Sequence, residues 1–228
     1  MNKLRFLWYV VRLAKEPTRT DQVFRLSDML RSGIRGDTRK KYCEQLLGND
    51  EFRRLYESGD KRYLARPYDL DGLIKLPPGT LGHQYARNMR EQGLDPEFFE
   101  AFEAYDALSY YSQRMRKTHD IWHTVTGFAT HIPGEIGLQA FYFGNVWTPL
   151  PLAIMASTFL HLLGTRNIPM ARSVFEHLVV GYESGKAARS LAGVDWESLF
   201  ATDLEEVRSR LGVRPNRQVW PMALPQSA

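Results

Sequence analysis

Two histidines and an aspartate stand close together in the run from Thr118 to His123. On a helix, which turns about 100° per residue, His119 and His123 point about 40° apart, and Asp120 points about 100° from His119. The two imidazoles and the carboxylate therefore share one arc of the helix surface, over which a single cation fits. Imidazole and carboxylate are typical ligands of zinc and of other divalent metals.

A fourth candidate ligand, Glu135, follows His123 after eleven intervening residues. Pro133 and Gly134 predict the start of a new helix, and a sharp reversal of the chain there would aim Glu135 back at the histidines. The resulting set of two imidazoles and two carboxylates suits zinc, iron, manganese or cobalt, and ligand softness does not choose among them. The ordinary alternatives are core histidines and an acid favoured by the helix dipole.

This spacing differs from that of the zinc proteases. Those enzymes carry His-Glu-x-x-His, in which the glutamate is the general base, whereas here Asp120 follows the first histidine. A protease is therefore disfavoured.

Two neighbours on the same helix are candidate substrate-binding residues. Arg116 lies one turn before His119 within the ligand arc, where a guanidinium can hold an anionic group beside the metal. Trp122 lies about 60° to the other side and can stack on a ring of the substrate. The alternatives are a solvent-exposed cation for Arg116 and core packing for Trp122.

The elements that must position these residues are helices, because helical periodicity prevails over strand-like alternation. We predict an all-α, single-domain, multi-helix globule. Asp95 and Pro96 predict a helix start, and apolar residues at spacings of three and four continue this helix to about Gly127. This apolar stripe comprises Ala101, Ala104, Leu108, Tyr111, Met115, Thr118, Trp122 and Val125. Further helices are predicted to begin at Pro133, at Pro149 or Pro151, at Pro169 (to about Tyr182) and at Trp196 (to Leu211).

The composition is that of a folded chain, with 228 residues of which 43% are hydrophobic and 25% charged. A chain of this length buries roughly 70% of its extended surface. The single cysteine, Cys43, excludes an intramolecular disulfide framework and a zinc site built from several thiolates. Any metal must be bound by histidines and carboxylates.

Basic residues concentrate in the N-terminal segment, since the first forty residues hold ten basic and four acidic side chains. Aromatic residues beside these cations favour an anionic membrane surface as the partner, and no nucleic-acid-binding signature accompanies them. An ordinary solvated face is the alternative. Arg12 interrupts the apolar run and no cleavage site follows, so a cytoplasmic location, peripheral on the inner face of the cell membrane, is expected.

A stretch of thirty residues from Ile136 to Thr165 contains no Asp, Glu, Lys or Arg. Gly144, Asn145, Pro149 and Pro151 interrupt it, and its longest clean apolar segment of twelve residues is too short for a hydrocarbon core of about 30 Å. The stretch predicts buried protein that lines an apolar cavity, with a plain helical core as the alternative. The predicted lining residues are Phe141, Tyr142, Phe143, Trp147, Phe159 and Leu160.

Several motifs together resemble one protein family. His119-Asp120-x-x-His123, with Gly134-Glu135 downstream, resembles the metal motif of the ubiquinone (coenzyme Q) biosynthesis family founded on the mitochondrial Coq-four protein. The run Leu76-Pro77-x-Gly79-Thr80-Leu81-Gly82 with Tyr85 is similar to a turn of that family. Three short runs of this chain are similar to the last segment of that family: Gly185-Lys186, Trp196-Glu197 and Leu211-Gly212-Val213. The likeness covers about Arg19 to Arg214.

The resemblance implies an all-α protein, peripheral on a membrane, that binds a divalent metal and acts on a polyprenylated 4-hydroxybenzoate. The implied reaction removes the ring carboxylate at carbon one, either simply or oxidatively with hydroxylation, which makes the protein a metal-dependent carbon–carbon lyase. Zinc is the first candidate metal, and iron, manganese or cobalt are the alternatives, because redox-inert zinc cannot activate oxygen. The implied metal ligands are His119, Asp120, His123 and Glu135.

The alternative is a non-catalytic prenyl-lipid-binding scaffold that organises other quinone-biosynthesis enzymes. Four protein ligands would close a tetrahedral zinc site, which favours the scaffold, whereas a larger coordination shell leaves room for substrate. The expected partners are a polyprenylated aromatic molecule, a membrane surface, other quinone-biosynthesis proteins and a second copy of the chain in a dimer. Residues 1–18 are predicted to form the basic and aromatic segment, 19–214 the helical domain and 215–228 a tail.

Overall fold

Helices make up the regular structure of this protein over the residues that the computed structural model describes, which are 3–17, 19–58, 64, 67–98 and 102–216. Within these residues the β pairing is one isolated bridge between Thr80 and Asp203. The predicted all-α, single-domain, multi-helix fold is confirmed. In chain order the helices are α1 (Lys3–Lys15), α2 (Thr20–Gly33), α3 (Gly36–Leu47), α4 (Asp50–Glu57), α5 (Leu70–Leu73), α6 (Leu81–Gln92), α7 (Ala107–Thr126), α8 (Ile132–Asn145), α9 (Pro149–Thr165), α10 (Ile168–Ala187) and α11 (Leu204–Leu211).

Helix α7 carries most of the candidate site and is largely buried. The predicted apolar stripe faces the core at Leu108, Tyr111 and Val125, each of which is buried. Ala101, the first member of that stripe, lies outside the described residues. The helix ends at Gly127, as predicted, where a φ of 74° suits a residue without a side chain.

The predicted start of this helix at Pro96 is wrong. Asp95 and Pro96 form a turn instead, in which Phe98 N donates to Asp95 O at 3.2 Å. Helix α7 begins after Asp106, whose carboxylate accepts from Ser109 N at 2.9 Å while Ser109 Oγ accepts from Asp106 N at 2.9 Å. This reciprocal capping box is a stronger start signal than an aspartate followed by proline, because it satisfies two backbone donors.

Helices α8 and α10 pack unusually close together through glycines. A Cβ atom at Gly181 would lie 2.0 Å from Gly137 O, and one at Gly185 would lie 2.3 Å from Phe141 O. No larger residue fits at either position without moving the two backbones apart. The close packing fixes the position of α8, which brings Glu135 to the site.

The C-terminal part differs from the prediction of one helix from Trp196 to Leu211. A 3₁₀ turn over Glu197–Leu199 is followed by a break, and α11 starts after Asp203. The Asp203 carboxylate accepts from Glu205 N at 2.9 Å and from Glu206 N at 3.2 Å, so a second N-cap interrupts the predicted run. Helix α10 also runs past Tyr182, the predicted end, to Ala187.

Helix α1 packs one side against the domain and exposes the other. Tyr9, Val10 and Leu13 are buried in a cluster with Leu26 and Ala153. The predicted tail from residue 215 lies outside the described residues beyond position 216. No helix in the described part of the chain has both the length and the apolar character to cross a bilayer.

Candidate metal centre

The two histidines of α7 point their Nε2 atoms at each other, and these atoms lie 3.2 Å apart. Asp120, the next residue after His119, offers a carboxylate oxygen on the same arc. One ligand atom from each of His119, Asp120 and His123 lies within 4.8 Å of the others. The structure thus brings together the three residues that helical spacing predicts on one arc.

The Nδ1 atoms of both histidines are engaged elsewhere. His123 Nδ1 is 2.7 Å from Phe128 O, a backbone acceptor, so that this nitrogen carries the proton and donates it. His119 Nδ1 lies 3.0 Å from the hydroxyl of Tyr142 on α8. Metal-binding histidines are commonly held in this way, with one nitrogen hydrogen-bonded and the other directed at the metal.

Glu135 reaches the same place from the first turn of α8. Its carboxylate lies 3.0 Å from His123 Nε2 and 3.7 Å from His119 Nε2. The chain reverses tightly before Glu135. The reversal brings Gly134 so close to Ala129 that a Cβ atom at Gly134 would lie only 2.1 Å from Ala129 O. Glu135 therefore adjoins both imidazoles of the group that His119, Asp120 and His123 form.

The electrostatics of the cluster are those of a proton held between acid and base. Burial opposes a charged imidazole, but the Glu135 carboxylate and the bond to Phe128 raise the pKa of His123 to about 9. Burial and the neighbouring His123 charge lower the pKa of His119. Burial disfavours ionised Glu135, yet His123 holds the pKa of this carboxyl below its ordinary value. The carboxylates here neutralise the positive charge of protonated His123. A divalent cation can supply positive charge in place of that proton, so the donor set fits such a metal.

A cavity of about 900 Å³ opens beside this cluster. His119, Asp120, Glu135 and Tyr142 line it beside the cluster, and the charged residues Arg31, Asp95 and Arg116 line it elsewhere. Its apolar wall comes mainly from α2 and the start of α9 and includes Val23, Phe24, Leu30, Leu150 and Ile154.

The charge-free stretch does contribute to the walls, for example through Ile136, Leu150 and Ile154, but mostly not through the six residues predicted. Of the six predicted lining residues, only Tyr142 contacts the cavity. Phe141 is fully buried in the main core, Phe159 stacks on Phe175, and Trp147 is 53% exposed. Phe143 and Phe159 pack instead in a cluster with Met155 and Val174 between α8, α9 and α10, and Leu160 is 44% exposed.

The two predicted substrate-binding residues have different surroundings. Arg116 lines the cavity, and its guanidinium pairs with Asp28 of α2. Trp122 is 1% exposed, donates from Nε1 to Thr118 Oγ1 at 3.1 Å and does not line the cavity. The structure thus gives Trp122 a packing role, and a ring in the cavity would meet Tyr142 instead.

Sequence reasoning named Tyr142 as a lining residue but missed the contact of its hydroxyl with His119, and it missed the Phe128 carbonyl and Arg31 altogether. The sequence spacing could have revealed the Tyr142 contact, since Glu135 and Tyr142 are seven residues apart and so share a face of α8. No sequence pattern reveals the Phe128 carbonyl, because a backbone group is the same in every residue. No sequence pattern reveals Arg31 of α2 either. It lines the cavity because α2, which is distant in sequence, packs beside the site.

Comparison with known proteins is consistent across sequence and structure. A family model described as coenzyme Q (ubiquinone) biosynthesis protein Coq4 matches residues 13–217. The mitochondrial ubiquinone biosynthesis protein COQ4 of Uncinocarpus reesii is 31% identical over 175 residues, which are 75% of this chain and 60% of that protein. Its counterpart in Aspergillus fumigatus is 33% identical over 157 residues, which are 67% of this chain and 53% of that protein.

A solved structure shares the fold. The crystal structure of a Nostoc punctiforme protein, assigned provisionally to ubiquinone biosynthesis, matches with a TM-score of 0.73 and 32% identity, covering 92% of this chain and 98% of that one. By contrast, the matched part spans only 53% to 60% of the two fungal relatives. Because the family model covers most of the sequence, the chain belongs to the Coq4 family of ubiquinone biosynthesis proteins.

Proposed function

We propose that this protein is a metal-dependent lyase of ubiquinone biosynthesis that removes the ring carboxylate at carbon one of a polyprenylated 4-hydroxybenzoate. The observation that carries the proposal is the position of the His119, His123 and Glu135 cluster at the wall of a largely apolar cavity of about 900 Å³. A substrate with a polar ring and a hydrocarbon tail requires both kinds of surface in one site.

The cluster leaves room for a substrate atom beside its side chains. His119 and Glu135 keep 27% and 33% of their side-chain surface exposed, whereas His123 is buried. A divalent metal, when bound, supplies a Lewis acid that stabilises the electron density left on the ring as carbon dioxide departs. Ligands with exposed faces favour a catalytic site over a closed structural one, since substrate needs an open position.

The apolar wall provides affinity for the tail. Side chains of Val23, Phe24, Leu30, Leu150 and Ile154 line this part of the cavity. Each buried CH₂ group of a prenyl chain contributes about 0.8 kcal/mol, so even one or two isoprene units add substantially to binding. The same wall keeps water away from the reacting ring.

The direct test is carbon dioxide release from a short-tailed prenylated 4-hydroxybenzoate, followed with metal-analysed protein in air and under anaerobic conditions. We expect release that His119→Ala abolishes and that His161→Gln leaves intact, because His161 bonds Ala14 O and does not line the cavity. A requirement for oxygen would identify oxidative decarboxylation and favour iron or manganese over zinc. No release from metal-loaded protein that retains the prenyl compound would contradict the lyase and support the scaffold.

The same proposal includes a peripheral membrane contact through α1. Leu4, Leu7 and Trp8 are 80%, 55% and 50% exposed, and the Arg12 guanidinium lies 4.9 Å from the centre of a Trp8 ring. Exposed apolar and aromatic side chains beside cations suit an anionic lipid interface. Contact with other quinone-biosynthesis proteins, dimer formation and a location at the inner face of the cell membrane remain predictions.

A further inference from the structure

Two arginines at the cavity wall share one carboxylate. Arg31 of α2 and Arg116 of α7 both line the cavity. Arg31 Nη2 lies 3.3 Å from Asp28 Oδ1, and Arg116 Nη2 donates to the same oxygen. The arginine side chains are 16% and 12% exposed, whereas Asp28 is 48% exposed. Within the part of the chain that the structure describes, two mostly buried positive charges therefore pair with a single, largely solvated carboxylate.

These guanidinium groups use few of their donors. The Nε atoms of Arg31 and Arg116 are buried without an acceptor, and among the described residues Arg116 adds to its Asp28 bond only a long contact of 3.5 Å with Phe24 O. Both cations lie over the ring of Phe102, at 4.0 Å and 4.8 Å from its centre. The ring positions the two groups without neutralising them. Buried donors without acceptors cost free energy, which an incoming oxyanion recovers.

The surroundings select where an anion binds in the cavity. Asp120 and Glu135 lie at the end of the cavity where the histidines or a bound cation balance their charge, whereas the arginine end carries an excess of positive charge that attracts a carboxylate. Arg116 precedes His119 by three residues, so the two side chains are neighbours on the face of α7 that lines the cavity. An aromatic acid with its carboxylate on the arginines would turn the opposite, hydroxyl-bearing end of its ring away from them and toward the histidine cluster.

We propose that Arg31 and Arg116 form an oxyanion subsite that holds the carboxylate of the aromatic acid, with Asp28 as the counter-ion against which that carboxylate competes. The inference rests on the proposed function and adds to it the residues that orient the substrate. The planar fork of a guanidinium matches the two oxygens of a carboxylate, so the pair also fixes the plane of that group.

The test compares the affinities for a short-tailed prenylated 4-hydroxybenzoate and for its methyl ester, which loses the charge and adds only one methyl group. Full-length protein of measured metal content is titrated with each compound in a calorimeter. We expect the native protein to prefer the acid by about tenfold or more, and Arg31→Gln and Arg116→Gln to bring the two affinities close together. Arg116→Lys, which keeps the charge but loses the fork, should retain part of the preference.

Asp28→Asn provides a test of opposite sign. Removing the competing carboxylate should raise the preference for the acid severalfold, although it breaks the same ion pair. Arg87→Gln is the control, because Arg87 is 50% exposed, pairs with Glu91 and lies outside the cavity lining. If Arg31, Arg116 and Asp28 variants alter thermal stability alone and leave the acid-to-ester ratio unchanged, the pair is structural and the proposal is overturned.

A prenyl phosphate and the matching prenyl alcohol form the second arm. An arginine-dependent preference for the phosphate, without one for the aromatic acid, would show that the subsite serves a phosphate and would overturn the assignment to a carboxylate. Because these measurements report binding, their outcome is separate from that of the carbon dioxide assay. An arginine-dependent acid preference in a protein that releases no carbon dioxide would sustain the subsite and contradict the lyase.

Discussion

Each histidine of the candidate metal centre is oriented by a partner on its Nδ1 atom. His123 donates to Phe128 O, and His119 meets the Tyr142 hydroxyl. Such partners hold the ring and determine which nitrogen offers its lone pair. Rings that are already held lose less side-chain freedom when a ligand binds, so the metal affinity depends on these partners as well as on the ligands.

Tyr142→Phe isolates one of these partners. The substitution removes the hydroxyl beside His119 and keeps the aromatic ring that packs on Trp122. We expect metal affinity, measured by competition with a chelator, to fall about 10- to 100-fold. Tyr111→Phe is the control, because Tyr111 is buried at the cavity and contacts none of the four candidate ligands through a hydrogen bond. Equal affinities for the two variants would remove Tyr142 from the centre.

The proton on His123 competes with a metal. Burial lowers the pKa of His123, but the Glu135 carboxylate outweighs this effect and raises that pKa to about 9. Metal binding near neutral pH should therefore release about one proton. The apparent affinity should therefore rise about tenfold per pH unit below pH 9. Calorimetry in buffers of different ionisation enthalpy measures the proton release directly. An affinity that is constant between pH 6.5 and 8.5 would show that His123 is not a ligand.

Glu135→Gln separates the two roles of this carboxylate. The variant loses the charge that raises the pKa of His123, so its metal affinity should depend less steeply on pH near and above neutrality. It should also bind metal at least about 100-fold more weakly at high pH, because an amide is a poorer ligand than a carboxylate. Unchanged metal content and affinity would exclude Glu135 from the centre.

At the scale of elements, the start of α7 sets the position of the whole helix. Asp106 caps the helix and also bonds Arg39 of α3, at 2.6 Å and 2.9 Å. Burial opposes ionisation of Asp106, but the Arg39 guanidinium and the Ser109 backbone hold its pKa at about 2. Because the pKa of Asp106 is lower in the folded protein than its unfolded value of 3.8, the ionised carboxylate stabilises the fold at pH values above 3.8. This contribution is lost as the pH falls toward 2.

Asp106→Asn keeps a capping side chain and removes the charge. We expect it to lower the free energy of unfolding by about 1–2 kcal/mol above pH 5, after allowance for partial solvent screening. Urea titrations should show this difference shrinking between pH 4 and pH 2. Asp71→Asn, whose partner Arg90 is exposed, should change stability by less than about 0.5 kcal/mol. A difference that persists at pH 2 would contradict the ion-pair argument.

The contact between α8 and α10 is a second element-scale feature. A Cβ atom at Gly181 would lie 2.0 Å from Gly137 O, so Gly181→Ala should separate the helices and cost about 3 kcal/mol of stability. Because α8 carries Glu135, metal affinity should fall as well. Gly164→Ala is the matched control: nothing lies within 4 Å of its Cβ position in α9, and helix propensity favours alanine by up to about 1 kcal/mol. Gly181→Ala with native stability would contradict the close-packing argument.

At the scale of the whole molecule, α1 lies between the cavity wall and the protein surface. Its inner side packs in one cluster with Val23, Leu30, Leu150 and Ile154, which also line the cavity. Its outer side exposes Leu4, Leu7 and Trp8. A membrane bound to that outer side would therefore lie close to the apolar part of the proposed site.

The membrane contact is tested by substitutions on the outer side. Deletion of residues 1–18 would uncover Leu26 and Ala153, so the double variant Leu7→Ser and Trp8→Ser is the sharper probe. Flotation with vesicles that contain anionic phospholipid should show loss of binding for this variant, and weaker binding of the native protein at high salt. Phe175→Ser, at an exposed position on α10, should float like the native protein. Equal flotation of all three would contradict the α1 contact.

The sequence by itself determined what depends on local geometry. The spacing of His119, Asp120 and His123 places them on one arc of any helix, and the structure brings their ligand atoms within 4.8 Å of one another. The apolar stripe of α7 and the proline-led starts of α8, α9 and α10 follow from the same short-range rules. These features involve neighbours within a few turns, whose relative positions are set by the helix alone.

The tertiary structure decided everything that depends on contacts between distant segments. The walls of the cavity, the burial of Trp122 and the meeting of Arg31 with Arg116 all require α2, α7 and α8 to dock in one particular way. Periodicity shows that a helix has an apolar face, but it does not show which helix covers that face. That choice is made by close packing, to which residues such as Gly137 and Gly181 contribute only through the backbone that they allow to approach.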